Sequence, residues 1–303
     1  MTPILVETTG ATGVVGVPGL EAVHTIRSLT LNDQTPLDQQ ALGYRFKVSL
    51  IRGFHSLPEP EDNRDAPLGQ LGEIARRSVR RGKTIVYEGL VQGQSLTLLR
   101  RGESALQGVL ADLTPTRVDV VPHPDYSLTA WYFTARPLDN PMDDEQSFSP
   151  HRIDRGFARP FVAALRLGDP RFYRADAPAQ VTSGTTGTAD RDVTVNNEGT
   201  APTPAVLTVT GPTTTPWSVQ NVELGESILF STALTAAQVL TIDFAARTIL
   251  LGATDWRGKR SMVSSGWWDS GVEALLPGSQ TIRGSGINDG GSLGVSWKHA
   301  SWS

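Results

Sequence analysis

The stretch Val239–Leu251, VLTIDFAARTILL, contains two short β-rich runs, Val239–Phe244 and Thr248–Leu251, separated by a short turn. Runs of this length that are rich in β-branched and aromatic residues are typical of strands. Similar runs, each bounded by turn residues, lie on both sides of this stretch. They are Asp192–Asn196, Ala205–Thr210, Ser227–Phe230, Gln280–Arg283 and Leu293–Trp297. Many short strands of this kind predict a β-sandwich or barrel for the last part of the chain.

The composition of the chain changes at about Asp176. Beyond it the content of Thr, Gly and Ser rises, the content of charged residues falls, and no helical periodicity is evident. We therefore place a domain boundary within Ala177–Ala189. The prediction is an arm at residues 1–20, a first domain at 21–177 and a second domain at 178–303.

The first domain is predicted to be mainly β with one helix. Apolar residues at helical spacing predict the helix from about Ser95 to Leu113, where Pro115 stops it. Alternation in the segment Tyr44–Arg52 predicts a strand with Phe46, Val48 and Leu50 on one face. Polar, Pro-rich and acidic segments predict exposed loops at residues 55–69 and 139–150. Further strands are predicted at Val23–Leu31, Thr84–Leu90, Asp119–Pro122, Leu128–Arg136 and Phe161–Leu167.

The composition excludes several classes of function. The 303 residues carry 27 basic and 31 acidic side chains, a formal net charge of −4, so the overall charge does not indicate a nucleic-acid-binding protein. The absence of cysteine excludes disulfides, thiolate nucleophiles and Cys-ligated metals. We expect a soluble protein, because the sequence shows neither a signal peptide nor an apolar run long enough to span a bilayer.

A glycine-rich segment, Thr9–Gly16, resembles the dinucleotide-binding turn of short-chain dehydrogenases. Its context does not fit that function. Pro18 and Gly19 interrupt the position of the following helix, and no alternation of strands and helices follows. A flexible glycine-rich arm is the preferred interpretation, and we expect no cofactor.

The sequence predicts no enzyme active site and no metal site. The five histidines lack close metal-ligand spacing, and no Gly-x-Ser-x-Gly nucleophile motif occurs. Paired carboxylates of a hydrolase remain an alternative that only geometry can test. The chain is therefore predicted not to be an enzyme.

Two groups of residues are candidate contact sites. The first is a basic run that suits an electrostatic contact with a partner or with passing DNA, although a solvated face beside a strand is the preferred alternative. It consists of Arg76, Arg77, Arg80, Arg81 and Lys83. The second is the pair Trp267 and Trp268, whose side chains point to opposite faces if the backbone is extended, so one of them is a candidate glycan or partner contact. Two other tryptophans, Trp217 and Trp297, lie in strand patterns and are predicted to fill the core.

The second domain resembles the C-terminal domain of siphovirus-type distal tail components. The resemblance rests on a small-residue and proline strand, a Thr-Ile-Asp strand with its turn, and a closing segment that ends in tryptophan. In the first domain, two further segments are similar to that family's N-terminal domain. The segments are Asn197–Thr210, Leu240–Leu251, Leu276–Trp302, Arg81–Leu90 with the helix after it, and Arg159–Tyr173.

The resemblance implies a structural virion protein at the tail tip, assembled in the host cytoplasm. It implies an N-terminal β-barrel-like belt domain with one helix, and a C-terminal β-sandwich similar to galectins or carbohydrate modules. Six copies would form a ring that joins the tail tube protein to the tail-tip or baseplate proteins and lets DNA pass, with the tape measure protein as a further partner. The alternative is a carbohydrate-binding tail component that contacts host-surface glycans through the sandwich. Neither function requires a membrane.

Overall fold

The computed structural model describes two hydrophobic cores along the chain. The described residues are 23–26, 29–31, 37–54, 60–61, 64–65, 74–75, 79–80, 82–121, 129–138, 150–186, 190–261, 267 and 274–302. One core runs from Ile26 to Phe172 and the other from Val193 to Trp297. The predicted boundary after residue 177 lies between the two cores, and the division into domains stays a prediction. The glycine-rich arm lies outside the described residues.

Strands dominate both halves of the chain. The first half contains β1 (Val23–Ile26), β2 (Leu29–Leu31), β3 (Tyr44–Arg52), β4 (Pro60–Glu61), β5 (Arg64–Asp65), β6 (Ile74–Ala75), β7 (Val79–Arg80), β8 (Thr84–Gly93), α1 (Leu96–Leu110), β9 (Thr116–Val121), β10 (Trp131–Pro137), β11 (His151–Ile153), β12 (Gly156–Arg166) and β13 (Phe172–Arg174). The second half contains β14 (Ala179–Thr182), β15 (Arg191–Asn197), β16 (Ala205–Thr210), β17 (Thr213–Asn221), β18 (Glu226–Phe230), β19 (Val239–Asp243), β20 (Thr248–Leu251), β21 (Thr254–Asp255), β22 (Gly278–Ile287), β23 (Ser292–Trp297) and β24 (Ala300–Ser301). Short 3-10 helices lie at Leu37–Gln39 and Arg257–Lys259.

Seven strands of the first half close into a barrel. Their order is β12-β8-β3-β2-β1-β9-β10, and β10 pairs with β12 through Arg136 and Arg166 to complete the circle. Alternate side chains of each strand fill the interior, where Tyr87 and Phe133 are fully buried. The predicted mainly-β domain with a barrel and one helix is thus confirmed within the described residues.

The helix α1 packs against β8, β12 and β3. Ser95 caps its first turn, because the Ser95 hydroxyl accepts a hydrogen bond from the Leu98 backbone N–H at 3.3 Å. Its buried stripe includes Leu99 and Leu106, as the helical spacing predicts. The helix ends at Leu110, three residues before the predicted end, where a turn closed by the Asp112 carboxylate begins.

A β-bulge in β3 overturns one prediction of the sequence. Val48 pairs with Gly89, but Leu50, two residues later, pairs with the adjacent Glu88, so the pairing register shifts by one residue. Phe46 and Val48 therefore point into the barrel as predicted, while the side chain of Leu50 lies outside and is 39% exposed.

Residues 55–69, predicted as a loop, contain two short strands. β4 pairs with β7, and β5 pairs with β6. These pairs are nested in sequence between β3 and β8, and they form two separate two-stranded sheets. The prediction of an exposed loop was therefore wrong in its secondary structure at residues 60–61 and 64–65, because cross-strand backbone pairing is not visible in local composition.

The second half forms a sandwich of two sheets around one core. The six-stranded sheet has the order β14-β23-β16-β19-β20-β21, and the four-stranded sheet has the order β15-β22-β17-β18. Trp217 is 1% exposed and stacks on Phe230 with ring centroids 4.3 Å apart. Trp297 is 5% exposed. The prediction that these two tryptophans fill the core is confirmed.

Candidate functional site

The last strand of the chain joins the two halves of the molecule. β24 leaves the sandwich and pairs with β13 at the edge of the barrel sheet, through the pairs Phe172–Ser301 and Tyr173–Ala300. The backbone N–H of Arg174 also donates to the carbonyl of His299 at 3.1 Å. The barrel sheet therefore contains a strand from the far end of the sequence, within the range predicted as the second domain.

Lys83 binds the chain end that follows this strand from the barrel side. Its ammonium donates to the carbonyls of Phe54 at 2.9 Å and Trp302 at 3.0 Å, and lies 4.4 Å from the centroid of the Phe172 ring. The residue is only 6% exposed, and burial lowers the pKa of the Lys83 ammonium to about 8. A buried ammonium with two carbonyl acceptors and an aromatic face is a structural contact that joins barrel and C-terminal strand.

Charged groups surround the same junction. Arg174 of β13 pairs with Glu198 at 2.6 Å and with Asp176 at 2.9 Å. The ring Nδ1 of His299 accepts a hydrogen bond from the Glu198 backbone N–H at 3.0 Å. Burial, followed by the nearby positive charge of Arg174, holds the pKa of His299 below its usual range. The neutral imidazole is the form that this backbone hydrogen bond requires.

A second set of contacts ties the barrel to the sandwich through Asp169. The Arg171 guanidinium holds both oxygens of the Asp169 carboxylate at 2.7 and 2.9 Å, and also donates to the Pro202 carbonyl at 3.1 Å. The Tyr173 hydroxyl donates to the same carboxylate at 2.7 Å. Burial and then the Asp169 charge raise the pKa of Tyr173. Charge-assisted, two-pronged contacts of this type fix the geometry of the groups involved.

Beside this network lies a groove of about 350 Å³ between the two halves. Its aromatic wall consists of Tyr132, Tyr173 and Trp297, and the Tyr132 and Tyr173 rings lie 5.7 Å apart. Lys298 lies at the groove with its ammonium 4.8 Å from the Tyr132 ring centroid. Aromatic faces combined with a cation and a few polar groups are typical of ligand-binding clefts.

The outer face of the six-stranded sheet has a different character. A shallow depression of about 280 Å³ on this face is lined largely by hydroxyl groups and contains no aromatic side chain. Its hydroxyl-bearing residues are Thr182, Thr208, Thr210, Ser292 and Ser296. Without an aromatic surface, this depression lacks the stacking contact on which sugar recognition commonly relies.

The predicted basic run is only partly described. Arg76, Arg77 and Arg81 lie outside the described residues, and of Arg80 only the backbone, in β7, is described. Lys83 lies in the junction, where it is buried and bonded to two carbonyls of its own chain. Lys83 is therefore not available for an electrostatic contact with a partner, because its ammonium is desolvated inside the molecule.

The prediction that Trp267 or Trp268 contacts a glycan or a partner is wrong for Trp267. Trp267 is fully buried in the sandwich core, with its ring centroid 4.9 Å from that of Phe244. A buried ring cannot stack on a glycan or a partner protein. Trp268 lies outside the described residues.

The described residues show no cluster that would hold a metal ion. No group of three or more His, Asp or Glu side chains with suitable geometry occurs among them. The same part of the chain contains no helix with the length and apolar character of a membrane span.

Comparison with known proteins supports the resemblance seen in the sequence. Residues 198–298 match the family model described as the C-terminal domain of siphovirus-type tail components. The chain has the fold of the Dit protein of phage SPP1, described as a paradigm of the hub adsorption apparatus of phages that infect Gram-positive bacteria. That similarity has a TM-score of 0.58 and 14% identity, over 92% of this chain and 98% of that chain. The resemblance to siphovirus tail components is thereby confirmed in sequence for residues 198–298 and in fold for most of the chain.

Other similarities are weaker. Two structures of the phage p2 baseplate in its activated conformation, with strontium and with calcium, both align with a TM-score of 0.39. The identities are 9% and 10%, over 91% of this chain and 97% of those chains. No curated protein matches the chain in sequence.

Sequence reasoning missed the residues of the groove. One signal was present: in the strand that contains Trp131, Tyr132 and Phe133, Tyr132 alternates with two core residues, so its ring must face outward. Tyr173 and Lys298 gave no such signal. The proximity of Tyr173 to Tyr132 depends on the pairing of β10 with β13, and that of Lys298 depends on the return of the chain end to the barrel.

Proposed function

We propose that the chain is a structural component of the tail tip of a siphovirus-type phage, a distal tail hub without catalytic activity. The observation that carries this proposal is the architecture. A closed barrel with one helix is joined to a sandwich whose residues 198–298 match the tail-component family. The fold is that of a phage hub protein.

In this proposal the barrel domain forms a homohexameric ring in the virion, assembled in the host cytoplasm. The ring joins the tail tube protein to the tail-tip proteins, has the tape measure protein as a further partner, and lets DNA pass through its lumen. The acidic chain, with a net charge of −4, is suited to a lumen that must not retain DNA, because retention depends on phosphate neutralisation by basic side chains.

The junction supports the proposed hub function, because its contacts hold the barrel and the sandwich in a fixed arrangement. β24 lies in the barrel sheet, and the contacts of Lys83 and Arg171 each bridge the two halves. A hub that transmits the position of one set of tail proteins to another requires such a fixed relation between its domains.

The experiment is a mass measurement of the purified chain by light scattering over a concentration series, followed by electron microscopy of the largest species. We expect a hexamer, or concentration-dependent assembly into one, seen as a ring with a central lumen. A chain that stays monomeric at every concentration, including in the presence of a tail tube protein, would overturn the ring.

A second candidate function is the binding of host-surface glycans. The groove favours it, because Tyr132 and Tyr173, which are only partly buried, lie at the groove next to the cation of Lys298. This location differs from the predicted Trp267 and Trp268 pair.

Its test is binding of the purified chain to a glycan array, compared with a Tyr132→Ala variant. Glycan binding by the wild type that the variant loses would support the groove as a sugar site. Equal binding by both proteins, or no binding by either, would exclude it.

A further inference from the structure

The groove between the barrel and the sandwich continues onto the outer face of the six-stranded sheet. The residues that line the groove and those that line the shallow depression on this sheet have Ser296 in common. Ser292, Gly294 and Ser296 are the outward residues of β23, and Lys298 continues their row into the groove. At about 3.3 Å per residue, the row from Ser292 to Lys298 is about 20 Å long. We call the groove and the depression together the extended cleft.

The depression presents hydroxyl groups that the protein itself does not use. Gly294 pairs with Thr182 on one side and with Thr208 on the other, and its missing side chain leaves space between them. Within the described residues, no hydrogen bond engages the hydroxyls of Thr182, Thr208, Thr210, Ser292 and Ser296. Each of these hydroxyls is therefore able to donate to a ligand and to accept from it.

The chemistry of this surface favours a ligand rich in hydroxyl groups. β23 pairs with β14 on one side and with β16 on the other, so its backbone groups are already bonded. A peptide strand, which binds mainly through its backbone, finds no partner groups on this face. Saccharides and polyols bind through hydroxyls, and Tyr132 and Tyr173 add at the groove the aromatic surface that the depression lacks.

The groove end of the extended cleft carries a positive charge without an acidic partner. Asp169 is the acidic residue among those that line the groove, and the Arg171 guanidinium binds both of its carboxylate oxygens. Lys298 forms no ion pair within the described part of the chain, and its ammonium lies 4.8 Å from the centroid of the Tyr132 ring. An unpaired ammonium at a groove attracts the anionic group of a ligand.

An acidic side chain on the sheet face indicates where that anionic group lies. Asp243 is on β19, two strands from β23, and its carboxylate accepts a hydrogen bond from the Ala246 backbone N–H at 2.8 Å. Two strand spacings place it about 10 Å from the row of β23. Because its charge repels an anion above β19, the anionic group is expected at the Lys298 end of the cleft.

We propose that the extended cleft binds an anionic, hydroxyl-rich polymer, a chain of sugar or polyol units that carries carboxylate or phosphate groups. Lys298 binds the anionic group, the two tyrosines contact a sugar or polyol unit beside it, and the hydroxyls along β23 bind the units that follow. This inference rests on the glycan-binding function proposed above as the second candidate, and it specifies the class of glycan.

The test is a glycan array that displays neutral, carboxylate-bearing and phosphate-bearing glycans, probed with the full chain at low and at high salt. We expect the wild type to prefer anionic glycans and to lose affinity for them as salt screens the charge. Lys298→Gln should weaken binding of anionic glycans by about tenfold or more and leave binding of neutral glycans unchanged. The comparison of carboxylate-bearing with phosphate-bearing glycans identifies the anion.

Two controls accompany Lys298→Gln. Lys298→Arg keeps the positive charge and should retain the preference for anionic glycans. Lys259→Gln removes the charge of an exposed lysine outside the extended cleft and should bind as the wild type does. A loss of binding that is equal in Lys298→Gln and Lys259→Gln would overturn the role of Lys298.

A steric variant tests whether the groove and the depression act as one site, and it does not depend on the folding of Lys298→Gln. A Cβ atom at Gly294 would lie 3.5 Å from its nearest neighbour, so Gly294→Val fits the strand and fills the depression. We expect it to weaken binding of a long anionic oligosaccharide by about fivefold or more, measured by calorimetry, because hydrogen bonds to the hydroxyls are lost. Binding of a single-unit fragment, which occupies only the groove, should not change.

The control for the steric variant is Gly258→Val, at another glycine with open space around it. It should bind long and short ligands as the wild type does. Unchanged affinity of Gly294→Val for the long oligosaccharide would overturn the extended cleft.

The outcomes separate the ligand class from glycan binding itself. A preference for anionic glycans that Lys298→Gln loses supports the proposal. Equal affinity of the wild type for neutral and anionic glycans overturns the proposal and leaves the glycan-binding function intact, whereas no binding to any glycan overturns both. An oligoglutamate peptide that competes as strongly as the anionic glycan would assign the groove to acidic peptides and overturn the saccharide class.

Discussion

At the scale of single residues, Lys83 shows how one side chain joins parts of the chain that are far apart in sequence. Its ammonium binds the carbonyl of Trp302, 219 residues away. Leaving water is costly for an ammonium group, and the lowered pKa reflects that cost. The two carbonyl acceptors and the Phe172 ring offset it only in part.

Replacing Lys83 by methionine should destabilise the protein. Methionine keeps the apolar contact with Phe172 but leaves the carbonyls of Phe54 and Trp302 without this donor. We expect Lys83→Met to lower the free energy of unfolding by about 1–3 kcal/mol, measured by urea denaturation at pH 7. Lys259→Met, at an exposed position, is the control and should change it by less than about 0.5 kcal/mol. Equal effects of both variants would contradict a structural role for Lys83.

The lowered pKa of Lys83 predicts that the stability of the protein depends on pH. In the folded protein Lys83 loses its proton near pH 8, whereas the unfolded chain keeps it up to about pH 10.5. Between these values the unfolded state binds more protons, so the contribution of Lys83 to stability increases with pH. We expect the unfolding free energy of the wild type to rise relative to that of Lys83→Met between pH 8 and pH 10.5. Below pH 8 the difference between the two proteins should be constant. A constant difference across this range would show that the folded pKa is not lowered.

At the scale of elements, the helix α1 is held against the barrel through glycines. A Cβ atom at Gly93 of β8 would lie 2.3 Å from the backbone nitrogen of Leu99, so the helix backbone rests directly on the strand. Gly108, on the exposed side of the same helix, has open space around its Cα. A larger side chain therefore has no room at Gly93 but is accommodated at Gly108.

Alanine at these two glycines should have opposite effects. Gly93→Ala forces the first turn of α1 away from β8, and we expect a loss of about 1–3 kcal/mol in unfolding free energy. Gly108→Ala relieves the low helix propensity of glycine, and we expect a gain of about 0.5–1 kcal/mol. Thermal unfolding followed by circular dichroism measures both. A neutral Gly93→Ala would mean that the helix is not packed against this strand.

At the scale of the whole molecule, the chain end determines whether barrel and sandwich behave as one body. Deleting residues 299–303 removes β24, the Trp302 carbonyl and His299 together. We expect the wild type to unfold in one calorimetric transition and the truncated chain in two, because each half retains its own core. A chain lacking only Ser303 is the control. One unchanged transition in the truncated chain would show that other contacts couple the halves.

The N-terminal arm is predicted to act in assembly rather than in folding. Deletion of residues 1–20 should leave both halves folded and should weaken ring formation, as measured by light scattering. Global unfolding of this variant would contradict the prediction.

The sequence by itself determined the class of the fold and most of its strands. Alternation and turn residues are local properties, so they identified the strand content, the position of α1 and the burial of Trp217 and Trp297. They also carried the resemblance to siphovirus tail components, which the match at residues 198–298 confirms.

Only the tertiary structure decided the contacts between distant segments. Local patterns did not reveal that a bulge turns Leu50 outward, that Trp267 is buried, or that Lys83 binds the end of the chain. The physical reason is that a side-chain pattern encodes which face of a strand is apolar. The register of a strand and the partner that covers it depend on residues elsewhere in the chain, and a barrel closed by non-local pairs makes that dependence largest.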